Sequence, residues 1–95
     1  MVSHVVIFTW RVGVTGEQAM AFGAALDRLA SDLSDLTTIR HGADLHFRDG
    51  NGDYALVATF TDRAAWDAYQ VHPKHKAFLH DQVAPLVASR VAIQF

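Results

Sequence analysis

Apolar positions run along this chain in two rhythms, one that alternates and one that returns every three or four residues, and the switches between them mark its elements. His4-Val-Val-Ile-Phe-Thr-Trp-Arg11 is dense in β-branched and aromatic residues and gives out before Gly13, which predicts a strand. Its faces read His4, Val6, Phe8, Trp10 and Val5, Ile7, Thr9, Arg11, and both are largely apolar. Thr15 followed three residues later by Gln18 has the form of a capping box. Beyond it Ala19, Phe22, Leu26, Leu29, Ala30 and Leu33 recur at helical spacing, predicting an amphipathic helix with one buried stripe. Leu36 to Leu45 reads as a second strand, in which Gly42 suggests a bulge or a close backbone approach. The turn residues of Asp49-Gly-Asn-Gly-Asp53 close a hairpin onto a third strand, Tyr54 to Phe60.

Asp62, or Thr61 before it, is placed to cap a helix carrying Ala64, Ala65, Trp66, Ala68 and Tyr69. That helix has to stop or kink at His72, because a residue preceding proline is pushed out of the α region. Pro73 suits the first turn of a new helix, where its missing N–H is no loss. His75, Phe78, Leu79, Gln82, Val83 and Leu86 share one stripe of that helix, and Ser89 to Phe95 is a final strand. The order β-α-β-β-α-β is that of an α+β, ferredoxin-like domain, a four-stranded antiparallel sheet with its helices on one face. A second face open to water would show clean alternation. Val5 to Phe8, Leu56 to Ala58 and Val91 to Ile93 are apolar on both parities, and no helix remains to cover them. A second copy is the economical cover: two such sheets facing each other close a dimeric α/β barrel, so a homodimer through the sheet faces is expected.

Composition narrows the function. The 95 residues are expected to form one domain, residues 1 to 95, with a core of modest size. Hydrophobic residues at 51% and charged ones at 19% exclude a disordered chain. A net charge of −2 without any Lys/Arg cluster argues against nucleic acid. The absence of cysteine removes disulfides, thiolate nucleophiles and Cys-ligated zinc. The apolar run Val5 to Trp10 is too short for a membrane span and lacks the basic flank of a signal peptide, so a cytoplasmic protein with no membrane partner is expected. His72, His75 and His80 are spaced by three and five residues, which does not hold all three imidazoles on one helical face. Neither a metal nor another cofactor is expected. His41 and His46, with Asp44 between them, show no diagnostic spacing.

The remaining chemistry gathers in Trp66 to Phe78, W-D-A-Y-Q-V-H-P-K-H-K-A-F. His4 opening the first strand, Phe60 closing the third, and the block Tyr69-x-x-His72-Pro73-x-His75-x-x-Phe78 together resemble the stress-responsive A/B barrel domain family, over nearly the whole chain. The resemblance implies the ferredoxin-like fold, dimerisation through the sheets and a pocket between sheet and helices. Many members are associated with stress responses without an established activity, and a few plant members are polyketide cyclases that close a ring by aldol condensation. In those cyclases the positions matching Tyr69 and His75 are the acid/base and substrate-orienting groups, and the position matching His4 lines the pocket. Many members open the third strand with a Thr-His pair where this chain has Asp53-Tyr54, which changes a pocket wall and makes Tyr54 a pocket candidate beside His4 and His72.

An enolising or ring-closing enzyme needs a base near an acidic C–H and a donor for the enolate. His75 is the natural base, since a neutral imidazole accepts a proton near pH 7, and Tyr69 the natural donor. Against this, His72 sits where its ring can cap the helix that starts at Pro73. Tyr69 and His75 can equally be core residues bonded to each other across the kink. Trp10, Phe47 and Trp66 read as core or dimer contacts. Three functions stay open: a binder of a small apolar or aromatic molecule, a cyclase-like enzyme using His75 and Tyr69, and a structural homo-oligomer. An open space bounded by His4, Tyr69 and His75 is what both ligand readings require.

Overall fold

The computed structural model describes residues 1 to 95. Strands β1 (Val2–Trp10), β2 (Thr38–Ala43), β3 (Tyr54–Phe60) and β4 (Val87–Gln94) form one sheet in the order β2-β3-β1-β4. Every neighbouring pair is antiparallel. The outer two strands differ most from expectation. β2 is confined to Thr38–Ala43, inside the expected Leu36 to Leu45, and β4 begins at Val87 rather than Ser89. Gly42 pairs in register with Ala55, so it is not a bulge, and nothing approaches the position of a Cβ there. The irregularity lies instead between Thr9 and Trp10 on β1, where the pairing to β4 shifts. On the opposite, β3-facing edge of β1 the side chain of Asp53 accepts from the Trp10 amide at 2.7 Å while its own amide donates to the Phe8 carbonyl at 2.8 Å. At the other end of the same pair of strands, Ser3 and Phe95 exchange two backbone hydrogen bonds of 2.7 and 2.9 Å.

Helix α1 (Gly16–Asp32) starts on the capping box foreseen for it, Thr15 accepting from the Gln18 amide and Gln18 accepting from the Thr15 amide. Its stripe of Phe22, Leu26, Leu29 and the following Leu33 is buried against the sheet. Asp62, not Thr61, caps α2 (Arg63–Val71) by accepting from the Ala65 amide at 2.9 Å. His72 ends α2 with extended backbone, as its position before proline requires, and its Nδ1 accepts from the Lys74 amide at 3.1 Å, capping α3 (Pro73–Phe78). The chain then widens into a π turn over Leu79–Val83 before the short α4 (Ala84–Leu86). Pro85 has no N–H and its ring crowds the carbonyl four residues back. The wider turn immediately before it lets the Ala84 amide reach the Leu79 carbonyl instead.

All helices lie on one face. The strand residues pointing at them, Val6, Phe8, Tyr54, Leu56, Ala58 and Phe60, join Phe22, Leu26, Tyr69 and Phe78 in a single core. The opposite face carries Val5, Ile7, Val57, Val91 and Ile93, of which Ile7, Val91 and Ile93 are exposed by 44%, 67% and 56%. β4 is covered poorly on the helical side as well. Register puts Arg90, Ala92 and Gln94 on that side, opposite Phe8, Val6 and His4, yet all three are exposed. No helix is long and apolar enough to cross a membrane.

Candidate functional site

The sparse cover over β4 leaves a cavity of about 230 Å³ between the sheet and the α2–α3 kink. β1 contributes His4, Val6 and Phe8, β3 Leu56, and β4 Arg90, Ala92 and Gln94; the helical wall is Trp66, Tyr69, Gln70, His75 and Leu79. His4, Tyr69 and His75 therefore meet at one open space. The kink explains how: α2 ends just after Tyr69, Pro73 restarts the helix in a new direction, and the two rings come face to face with centroids 4.1 Å apart and planes tilted by 34°. They touch at this tilt without a hydrogen bond between them, and His75 Nδ1 is buried with no hydrogen-bond partner. This corrects the expectation that Tyr69 would satisfy it.

His4 stands opposite this pair, its ring 6.3 Å from Tyr69 and 6.2 Å from Trp66. Its Nδ1 accepts from the Gln94 side-chain Nε2 at 2.9 Å and from the Trp66 indole N–H at 3.4 Å. Both partners can only donate through those nitrogens, so the neutral ring carries its proton on Nε2. Burial holds His4 below the ordinary histidine value of 6.5, and the charge of Arg90 adds to this. Burial also lowers His75; the Gln70 backbone opposes the shift, while the charges of His4, Arg90 and His72 reinforce it. Tyr69 is pushed up to about 12 by burial alone. Near neutral pH the cavity thus presents two uncharged imidazoles and a protonated phenol. A neutral imidazole beside a phenolic donor is what proton transfer at carbon or oxygen asks for.

Two pocket candidates lie elsewhere. His72 is spent on the α3 cap and does not line the cavity. Tyr54 faces the helices from the far end of β3 and lines a separate groove of about 750 Å³ beside α1, with Trp10, Asp27 and His41 among its walls. There His41 joins the Tyr54 hydroxyl through Nδ1 at 2.7 Å and the Asp27 carboxylate through Nε2 at 2.6 Å. A carboxylate only accepts, so Nε2 donates to Asp27, while Nδ1 meets the Tyr54 hydroxyl, which can both donate and accept. The chain of bonds ties α1 to β2 and β3, with the phenol of Tyr54 raised by burial and by the Asp27 charge. Gly23 makes the approach possible, since a Cβ there would stand 2.6 Å from the Tyr54 oxygen.

Sequence reasoning missed Trp66, Arg90 and Gln94 at the cavity. Trp66 falls on the same turn of α2 as Tyr69, a signal that was present but is shared by any core aromatic. Arg90 and Gln94 alternate correctly with Ala92, but only the register of β4 against β1 shows that they face His4 and Phe8.

The sheet order, the helices on one side and the apolar opposite face define a ferredoxin-like α+β domain. The chain belongs to the Stress responsive A/B Barrel Domain (Dabb) family, whose model matches residues 2–95. It is similar to a dimeric ferredoxin-like protein of unknown function from Thermobifida fusca YX, with 38% identity, a TM-score of 0.89 and coverage of 99% of this chain and 88% of that one. A dimeric ferredoxin-like protein of unknown function from Jannaschia sp. CCS1 is 31% identical, with a TM-score of 0.77 and coverage of 99% and 96%. The hydroxynitrile lyase from Passiflora edulis shares the fold at 18% identity, with a TM-score of 0.83 and coverage of 99% and 90%. No curated protein matches the chain.

Proposed function

We propose that this protein binds a small apolar or aromatic molecule in the cavity bounded by His4, Tyr69 and His75. The observation that carries the reading is the open space itself. A structural oligomer has no use for three polar rings around a void, and a packed core would have closed it. The walls suit such a ligand, with Val6, Phe8, Leu56 and Leu79 as apolar surface and a few convergent polar groups. The ligand site belongs to a homodimer that pairs through the outer sheet faces. The exposed Ile7, Val91 and Ile93 support this, as do the related Thermobifida and Jannaschia proteins described as dimeric.

A second reading, a cyclase-like acid/base enzyme, is favoured by one observation: the His75 ring lines the cavity against Tyr69, and burial lowers its pKa. In this reading neutral His75 takes a proton from a carbon beside a carbonyl, and Tyr69, held protonated, donates a hydrogen bond to the enolate oxygen. Substitution separates the two. In a binder, His75→Gln and Tyr69→Phe change ligand affinity by less than about tenfold, whereas in an enzyme either lowers turnover by about a hundredfold or more with the ligand still bound. A cavity that admits no apolar ligand, judged by an unperturbed Trp66 indole resonance, ends both readings.

A further inference from the structure

The charge of the cavity has a direction, and it narrows the ligand class of the site proposed above, on which this step rests. Arg90 stands in the cavity wall on the edge strand, opposite Phe8 in register. None of the protein's five salt bridges involves it. No aspartate or glutamate lines the cavity to balance it. A guanidinium has five N–H donors and no acceptor, in a fork that matches a carboxylate through two parallel bonds. The neighbouring groups lean the same way. His4, with Nδ1 already occupied by Gln94 and Trp66, has only its Nε2–H left to offer, and Tyr69 is a protonated phenol. Beside the neutral His75 and the side-chain amides of Gln70 and Gln94, the cavity thus carries one unbalanced positive charge and two further donors, while its remaining walls are apolar.

We propose that the cavity selects small monoanionic ligands, apolar or aromatic carboxylic acids whose carboxylate docks on Arg90 while the hydrocarbon part lies between the sheet and the α2–α3 kink. A neutral ligand would leave the positive charge of the exposed guanidinium unbalanced and at best engage it through a single uncharged acceptor. A cationic one would be repelled.

The test uses three probes of similar ring size, benzoate, benzamide and benzene, titrated into the protein at pH 7. The indole N–H signal of Trp66 reports on the cavity, and that of Trp10, which packs on Phe22 and Tyr54 away from it, serves as the control for fold. The expected result is that benzoate moves the Trp66 signal with an affinity at least about tenfold above that of benzamide. Arg90→Gln should remove most of the advantage of benzoate over benzamide, and Arg90→Lys should restore part of the difference. Equal affinities for benzoate and benzamide, or benzoate binding indifferent to Arg90→Gln, overturns the anion preference while the cavity stands. If benzene alone moves Trp66, the preference is likewise overturned and the cavity stands. If none of the three moves it, the ligand reading falls together with the preference.

Discussion

His4 and His75 are nearly fully buried as neutral rings, at 8% and 7% exposure, and acid should therefore loosen the protein around them. Both have folded-state values below the 6.5 of an unfolded histidine. Above pH 6.5 the rings are neutral in either state and the difference contributes nothing. As pH falls below 6.5 the unfolded chain takes up protons that the folded chain holds off, so stability falls until the folded-state values are passed. Urea midpoints measured between pH 7.5 and 5 should decline, and His75→Gln, which removes one of the two groups, should flatten the decline. A profile equally steep in the variant would show that the loss comes from elsewhere. Residue chemistry of this kind was readable in advance only in part. His75 could be placed on an apolar stripe from spacing, but its missing partner is a fact of ring orientation, fixed by the angle between two helices that no local pattern encodes.

At the level of elements, the tie between α1 and the β2–β3 edge turns on Gly23. Glycine inside a helix costs about 1 kcal/mol against alanine, and here it is tolerated because any Cβ would collide with the Tyr54 hydroxyl. Gly23→Ala should therefore destabilise the protein by ~1–2 kcal/mol, the overpacking outweighing the gain in helix propensity. In a Tyr54→Phe background, with the oxygen gone, the same substitution should be neutral or stabilising. Denaturant unfolding of the four proteins in this cycle measures the coupling, and additive effects would mean that the contact is not the reason for the glycine. Local signals served well where an element carries its own boundary marker. The Thr15–Gln18 box and the His72–Pro73 break lie where the sequence puts them, because a cap or a proline acts within a turn of chain. β2 and β4 were less legible: edge strands end where their one partner ends, and that depends on pairing rather than on their own residues. The same limit hid Arg90 and Gln94, and it misplaced Tyr54, since alternation gives the face of a strand but not which end of the sheet a residue reaches.

The whole molecule is organised by what its helices leave uncovered. Their cover runs out over β4 on one side, giving the cavity, and is wholly absent on the other, giving the apolar face of Val5, Ile7, Val57, Val91 and Ile93. Both faces of the sheet were predicted apolar from the double parity of Val5 to Phe8, Leu56 to Ala58 and Val91 to Ile93, which is a whole-molecule inference drawn from three short segments. If that face pairs with a second copy, light scattering at micromolar concentration should return a dimer, and Ile7→Asp, which buries a carboxylate in the centre of the interface, should return a folded monomer or a dimer weakened by at least about a hundredfold. A wild-type monomer under those conditions would leave the apolar face unexplained.

The reciprocal Ser3–Phe95 pair has a consequence for how the chain can be cut and rejoined. It holds Ser3 and Phe95 side by side at the end of the β1–β4 pair, so a short glycine linker joining Phe95 to Met1 closes a loop at little entropic expense. New ends opened at Gly50–Asn51, in the exposed connection between β2 and β3, interrupt neither strand. Such a circular permutant should fold, keep His4 beside Gln94, and bind the same ligands with the affinity of the parent, which a titration followed at Trp66 would establish. Loss of the Trp66 response in a folded permutant would show that the natural order of the strands, beyond their adjacency, is needed to shape the site.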